Sequence, residues 1–436
     1  MANGVEKSRN GCALHGAINS IFEIEGVIPI VHSIAGCSIQ QNYRNRLSAL
    51  NGFHIPSTNI IEKQVVFGGG SRLREQIKNT IKVIKADLYV TLSGCTSELV
   101  GDDVITMANE AKEQGEPVIY YKSPGFKGKY QSGYEGVVNA IINQLPGVKN
   151  INTEKDEKLI NIFGIIPYQD INWRGNLAEI KRILEALGYK VNTLFGIGQN
   201  ISNWQNIPKA TLNISFSKWS ENIVENLNEK YKTPYIKYEY TPIGALETID
   251  FIEELSKVIN IDESLKSEFI NDEKNQENYY LKNLLNIYID NNFQKEVAVV
   301  GNESTVKAIS EFLSETLGFI VKAKIFTDPI REENEKLSED EYRTEDLNEI
   351  EEIIKENDIE LILGSSFEKS IANELNIPIQ VISFPEKDKV ILNKSYAGFL
   401  GGISFIEDLS STILNYEKNK ENQYYEEVKS LLWLEE

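Results

Sequence analysis

Residues 86–103, ADLYVTLSGCTSELVGDD, contain the pattern that decides the fold. The apolar run 86–93 is typical of a buried strand, and the residues after Gly94 and Cys95 are typical of a helix. A strand that ends at a glycine and leads into a helix is the repeating unit of parallel α/β sheets. The stretch therefore predicts a parallel sheet, and it holds the last of three cysteines.

The same alternation continues on both sides of this stretch. GVIPIVH (26–32) and EPVIYYKS (116–123) are typical of further strands, and 71–85 and 102–115 of the helices between them. The polar residues near 147–157 form a plausible boundary, after which the alternation resumes.

Two more series of short β-branched runs and amphipathic segments follow, from KLINIFGII at 158 and from KEVAVVG at 295. We therefore expect an α/β protein with three domains, at 1–150, 151–290 and 291–436. Within the second domain, 246–294 is expected to be a mostly helical connection. The acidic stretch 331–358 is expected to form exposed helix and loop.

Composition limits the possible functions. The chain has 436 residues, 41% hydrophobic and 25% charged, as in water-soluble globular proteins. Its formal net charge of −20 disfavours nucleic acids and anionic membranes as partners, because both would repel it. We see neither a signal peptide nor a membrane-spanning run, and we expect a cytoplasmic location. Thiols stay reduced there, so three cysteines favour ligation or chemistry over disulfides.

The three cysteines share one local context. Cys12, Cys37 and Cys95 each follow a glycine and precede a predicted helix. Free N–H groups at the start of a helix stabilise a thiolate and lower its pKa. Three such thiolates that point to one place would suit an anionic iron–sulfur cluster. His15 and His32 could donate hydrogen bonds from outside such a cluster, or could simply be packed.

Other interpretations of these residues remain open. Three buried, inert cysteines are the alternative to a cluster, whereas zinc is less attractive without a CxxC or HxxxH pair. FGGGS (67–71) could bind an anion or pack structurally. Asp102 and Asp103 could be catalytic carboxylates, but we expect them to cap the next helix. We predict that the chain does not hydrolyse ATP, because it has no Walker A loop; VAVVGNEST (297–305) also lacks GxGxxG.

The contexts of the cysteines resemble the nitrogenase component 1 family, and its β-type subunits in particular. The first two ligand segments of that family resemble CALHGAINSIFEIEGVIPIVHSIAGC, and its third resembles LSGCTSELVGDDV. Its glycine-rich stretch resembles VVFGGGSRLREQIKN. Segments further along also resemble the family: LINIFGIIPYQDINWRGNLAEIKRILEALGYKVN, LILGSSFEKSIANELNIPIQVISFP and SYAGFLGGISFIEDL.

The resemblance implies three Rossmann-like domains around a central cleft. It implies Cys12, Cys37 and Cys95 as ligands of an iron–sulfur cluster, [4Fe–4S] or of the [8Fe–7S] P-cluster type, shared with another subunit. The expected partners are an α-type sister subunit, in a heterotetramer, and an ATP-hydrolysing iron–sulfur reductase. The chain would relay electrons to a site on its sister under anaerobic conditions. A scaffold for assembly of such a metallocofactor is the alternative, and a structural subunit without a cluster is a weaker one.

Three departures from the family set limits. Where the β subunits of nitrogenase have a Pro-Ser-Phe segment, this chain has Pro124, Gly125 and Phe126, so ligation by that serine is not expected. No cysteine follows Cys95, and Ala397 stands near the position of the α-type cofactor histidine. The chain is therefore not expected to hold a catalytic cofactor in the manner of the α subunit, and its substrate stays open.

Overall fold

A computed structural model describes residues 9–39, 55–145, 154–282, 284, 288, 293–329 and 336–432, with side chains to residue 417. Within these residues the strands form three sheets, and every strand pair is parallel. Parallel sheets with helical connections confirm the predicted α/β class.

The first sheet contains β1 (Val27–His32), β2 (Leu88–Ser93) and β3 (Val118–Lys122), in the order β1-β2-β3. Every residue of β2 is buried, as expected for the central strand of a sheet covered on both faces. The last residues of the strands are in register, since His32 pairs with Ser93 and Ser93 with Lys122. The carboxyl ends of β1, β2 and β3 therefore lie side by side at one edge of the sheet.

The second sheet has the order β5-β4-β6-β7. Its strands are β4 (Asp156–Phe163), β5 (Lys190–Asn192), β6 (Ala210–Ser215) and β7 (Tyr235–Lys237). Three buried asparagines bond across neighbouring strands: Asn192 donates to Asn161 Oδ1 at 3.0 Å, and Asn161 donates to Asn213 Oδ1 at 2.8 Å. Because buried amides need partners, these bonds favour the observed register.

The third sheet has the order β10-β9-β8-β11-β12. Its strands are β8 (Glu296–Gly301), β9 (Ile320–Phe326), β10 (Glu341–Arg343), β11 (Leu361–Gly364) and β12 (Ile379–Val381). Val297 and Val299 of β8 pack into one apolar core, and Ala298 and Val300 pack into another. Alternate side chains point to opposite faces of a strand, so both faces of this sheet are covered.

The helices are numbered in chain order. They are α1 (Ala13–Phe22), α2 (Glu62–Phe67), α3 (Gly70–Val83), α4 (Cys95–Val100), α5 (Val104–Glu113), α6 (Tyr130–Gln144), α7 (Trp173–Ala186), α8 (Ile201–Gln205), α9 (Glu221–Tyr231), α10 (Gly244–Ser256), α11 (Glu263–Leu281), α12 (Glu303–Glu311), α13 (Leu347–Glu356), α14 (Lys369–Leu375) and α15 (Gly398–Leu432). Residues 35–39 are also helical, and a π-helical turn, Phe312–Thr316, follows α12. In the part of the chain described, no helix has the length and apolarity needed to cross a membrane.

Contacts divide the chain into two compact units. One contains Asn10–Pro167 and Tyr189–Tyr238, and therefore the first and second sheets. The other contains Arg9, Tyr168–Gly188 and Glu239–Glu436, and therefore the third sheet. The boundaries of three domains at 1–150, 151–290 and 291–436 stay a prediction.

One expectation about the acidic stretch 331–358 was incomplete. Its described residues include the helix α13, as expected, but also the strand β10, which pairs with β9. β10 has only three residues at the edge of the sheet, too few to show a period of two in the sequence. The predicted helical connection at 246–294 agrees with α10 and α11 as far as Leu281, while 283, 285–287 and 289–292 lie outside the described residues.

Candidate metal centre

Cys12 lies at the amino end of α1, in extended backbone conformation with φ −81° and ψ 172°. The next residue, Ala13, donates its N–H to the carbonyl of Gly128 at 3.0 Å. Cys12 itself forms an isolated antiparallel bridge with Lys129. Cys12 is thus held against the segment that joins β3 to α6.

The other two cysteines follow strands of the first sheet. Cys95 is the first residue of α4, directly after β2 and Gly94. Cys37 follows β1 but is the third residue of the helical segment 35–39, rather than its amino end. All three thiols are free and half-buried.

Gly125 lies beside both Cys12 and Cys95. Its N–H donates to Cys95 Sγ at 3.1 Å. A Cβ atom at Gly125 would lie 2.9 Å from Cys12 Cβ, 3.4 Å from Cys95 Sγ and 3.6 Å from Cys12 Sγ. A residue with a side chain would therefore enter the space beside the two sulfurs. The sequence indicated this position only as a departure from a family pattern, and not as a contact to sulfur.

The third thiol is electrostatically linked to the other two. Burial raises the pKa of Cys37, a hydrogen bond with Ser33 opposes this, and the charges of Cys12 and Cys95 raise it further. The sequence predicted a lowered pKa at a helix amino end, and for Cys37 that prediction is wrong. Its thiol lies inside the helical segment 35–39 and not at its amino end, so burial outweighs any helix-end effect.

Both nearby histidines are buried and hydrogen-bonded. His15 Nε2 lies 3.2 Å from Asn19 Nδ2, and its ring meets Tyr130 edge to face with centroids 5.1 Å apart. His32 lies at the end of β1, with its ring between Thr58 and Asp102. These contacts place His15 in a packed environment and His32 in a polar network at the carboxyl end of β1.

The neighbouring acids Asp102 and Asp103 have different roles. Asp103 caps α5, because its carboxylate accepts from Thr106 N at 3.0 Å. Asp102 is buried and instead accepts from Gly69 N and bonds to His32. The predicted capping role is correct for Asp103 and wrong for Asp102. Its partner Gly69 is 33 residues away in sequence, so no local pattern could reveal the bond.

The described residues contain no group of three or more His, Cys, Asp or Glu side chains able to hold a single metal ion. A polynuclear cluster has a different requirement, because each thiolate binds a different iron and the sulfurs need not meet at one point. Three soft thiols near one another, with a backbone N–H donor to sulfur at Gly125, fit such a cluster.

The fold and the trio of thiols define an α/β protein with a candidate cluster site at the edge of its first sheet. The chain belongs to the nitrogenase component 1 type oxidoreductases, since the model of that family matches residues 12–414. The match begins at Cys12 and includes all three sheets.

Relatives over nearly the whole length are beta chains. The nitrogenase molybdenum-iron protein beta chain of Methanococcus maripaludis is 25% identical, over 95% of this chain and 94% of the relative. That of Clostridium pasteurianum is 26% identical, over 93% and 92%. An alpha chain of Methanosarcina barkeri is 29% identical but covers only 56% of this chain and 46% of its own. The chain is thus a component 1-like subunit of the beta-chain type.

A solved structure shares the fold. A chain of nitrogenase Cp1 at pH 6.5 superposes with a TM-score of 0.75 over 95% of each chain, at 23% identity. This likeness agrees with the three parallel sheets and extends over all of them.

Proposed function

We propose that this chain is the β-type subunit of a nitrogenase-like reductase, which acts in the cytoplasm and holds an iron–sulfur cluster through Cys12, Cys37 and Cys95. The observation that carries the proposal is that Cys12 and Cys95 both lie beside Gly125. Cys37 is close enough for the charges of these two thiols to raise its pKa. Family membership supplies the second support.

The chain's own residues would bind and tune the cluster. The three thiolates are the ligands, of a [4Fe–4S] cluster or of one of the [8Fe–7S] P-cluster type. The N–H of Gly125 already points at Cys95 Sγ, and such bonds to sulfur raise the potential of a cluster. When bound, the cluster would accept single electrons and pass them on.

Other chains would complete the site and the reaction. Three thiolates leave at least one iron of a [4Fe–4S] unit without a protein ligand, and this chain has no fourth cysteine. We propose an α-type sister subunit, in a heterotetramer, as the source of the remaining ligands. A separate ATP-hydrolysing iron–sulfur reductase would deliver the electrons, and the sister would hold the site at which the substrate is reduced.

Individual Cys→Ala variants test the ligand set. The complex is purified without oxygen, and its iron, acid-labile sulfide and EPR spectrum are compared with those of the wild type. Each variant should lose iron and change the EPR spectrum, because each removes a ligand. Thr96→Ala, beside Cys95 on the same helix, is the matched control and should keep both. Wild-type iron and an unchanged spectrum in all three cysteine variants would refute the proposal.

A further inference from the structure

The end of β1 is bonded to the start of the helix that carries Cys95. The main-chain oxygen of His32 accepts from Gly94 N at 3.0 Å and from Ser97 Oγ at 2.7 Å. Gly94 is the N-cap residue of α4, and Ser97 lies in its first turn. One carbonyl group therefore holds the first turn of this helix.

The side chain of the same histidine reaches the other end of α4. His32 Nε2 lies 3.0 Å from Asp102 Oδ2, and Asp102 N donates to Ser97 O at 3.0 Å. His32 Nδ1 lies 3.1 Å from Thr58 Oγ1. Burial lowers the pKa of His32 despite the charge of Asp102, so the ring is neutral near pH 7. A neutral ring donates from one nitrogen and accepts at the other, which suits Asp102 on one side and Thr58 on the other.

Gly69 completes this network from the glycine-rich stretch. Its N–H donates to Asp102 Oδ1 at 2.6 Å. A Cβ atom at Gly69 would lie 2.5 Å from Asp102 Oδ2 and 2.9 Å from His32 Cε1. The backbone at position 69 can come this close to Asp102 and His32 only because glycine has no side chain.

The helix itself has little packing to fix its direction. α4 has six residues, and Ser97 is its one buried residue. Hydrogen bonds therefore hold α4 in place: those to His32 and Asp102, and one from Ser93 Oγ to Glu98 Oε1 at 2.6 Å. The position of α4 in turn directs the thiol of its first residue.

We propose that His32, Asp102 and Gly69 are positioning residues for Cys95, which orient its thiol through α4 without touching the sulfur. What the thiol then holds rests on the function proposed above. The positioning role itself concerns the protein before any metal binds, and can be tested there.

The test compares two adjacent acids in the full chain without metal. Asp102→Ala removes the acceptor for Gly69 and His32, whereas Asp103→Ala removes only the cap of α5. Native protein is treated with iodoacetamide, and mass spectrometry follows alkylation of Cys95 and of Cys12 as an internal reference. Local opening of α4 in Asp102→Ala should speed alkylation of Cys95 about 5-fold or more and leave Cys12 unchanged. Asp103→Ala should alter neither rate.

Asp102→Asn is the second variant and keeps the volume of the side chain. It serves as the test if the alanine variant does not fold. An amide can no longer accept from both Gly69 and His32, so the same preference for Cys95 is expected. An unchanged Cys95 rate in folded Asp102→Asn, or an equal rise at Cys12 and Cys95, would overturn the positioning role.

A second measurement links the role to the cluster. In the complex, Asp102→Asn should retain iron but shift the midpoint potential and the EPR g-values, which loss of stability alone would not do. A wild-type complex without iron would reject the proposed function, while the alkylation result would still decide the positioning role.

Discussion

At Gly125 a Cβ atom would come within 2.9 Å of Cys12 Cβ, so a side chain here would displace Cys12. The N–H donates to Cys95 Sγ, and the space that a side chain would fill borders both Cys12 and Cys95. Glycine here keeps the approach to two thiols open. At Gly36, next to the third cysteine, a Cβ atom would meet only Ile34 Cδ1, at 3.8 Å, among the residues that the structure describes. A methyl group at Gly125 would thus disturb the cysteines, whereas one at Gly36 would make only an ordinary contact with Ile34.

Gly125→Ala is expected to lower the iron content of the complex, because its methyl group would lie 2.9 Å from Cys12 Cβ and displace that residue. Overpacking of this kind costs about 1–3 kcal/mol of folding free energy. Iron analysis of the complex and urea unfolding of the metal-free chain measure the two effects. Gly36→Ala is the matched control and should keep wild-type iron. Full iron in Gly125→Ala would show that the space beside these sulfurs is not needed.

The pKa of Cys37 gives a prediction about pH. Burial raises this pKa in the folded chain, so the thiol keeps its proton to higher pH than in the unfolded chain. In metal-free protein, the rate at which iodoacetamide alkylates Cys37 should therefore rise with pH through a midpoint above that measured for Cys37 in urea. A folded-state midpoint at or below the one in urea would contradict this.

Among single residues, the sequence drew attention to the three cysteines but not to the residues that contact them or support their helices. Gly-Cys before a helix is a local pattern, and it led to Cys12, Cys37 and Cys95 directly. The bonds from Gly69 to Asp102 and from Gly125 to Cys95 join residues about thirty positions apart. Such contacts depend on how strands align, which no short stretch of sequence contains.

Among the elements, the amino end of α7 shows how a loop is held without regular structure. Asn176 Oδ1 accepts from Tyr396 N at 2.8 Å, from Ala397 N at 3.0 Å and from Ser395 Oγ at 3.0 Å. Ala397, which the family resemblance puts near the position of the α-type cofactor histidine, is fully buried and bonded through its backbone. Its methyl side chain offers no atom that could bind a metal.

Asn176→Ala should destabilise the chain by about 2–4 kcal/mol, because it leaves two buried N–H groups without their acceptor. Urea unfolding followed by circular dichroism measures the loss. Lys181→Ala on the same helix is the control: its ammonium lies 3.7 Å from Glu185 at the surface, and such pairs contribute about 0.5 kcal/mol or less. Equal stability of the two variants would refute the role of Asn176.

The long elements were predictable because their apolar residues recur with a clear period. β2, β8 and α3 agree with their predicted ranges to within a few residues. The strands β5 and β10 have three residues each and no period to detect. These strands form because the longer strands β4 and β9 pair with them through backbone hydrogen bonds, so only the tertiary structure reveals them.

For the molecule as a whole, the three parallel sheets were predictable from the repeated strand and helix pattern, and the family from the cysteine contexts. The compact units were not. α7 follows β4 in sequence, yet belongs to the unit of the third sheet. Sequence order alone does not show to which compact unit a helix belongs.

The chain alone is expected to neither bind ATP tightly nor hydrolyse it, because it has no lysine-bearing phosphate loop. Isothermal titration with MgATP should give no saturable heat at micromolar protein. Hydrolysis should appear only when a separate reductase is added, and catalysis only when the sister subunit is present too. Tight, stoichiometric binding of ATP by the chain alone would contradict this.

Turnover separates the enzyme from an assembly scaffold. The complex with its reductase, ATP and dithionite should reduce protons, acetylene or another small molecule. A scaffold would reduce none of them and would instead pass a metal cluster to another protein. Transfer of iron without turnover would therefore show that the chain is an assembly scaffold and not an enzyme subunit.

The most direct measurement is anomalous X-ray scattering from crystals of the complex, purified without oxygen, on both sides of the iron edge. We expect iron within bonding distance of the Sγ atoms of Cys12, Cys37 and Cys95, in one cluster that also has ligands from a second chain. No iron at these sulfurs, or a single metal ion whose signal appears at the zinc edge instead, would contradict it.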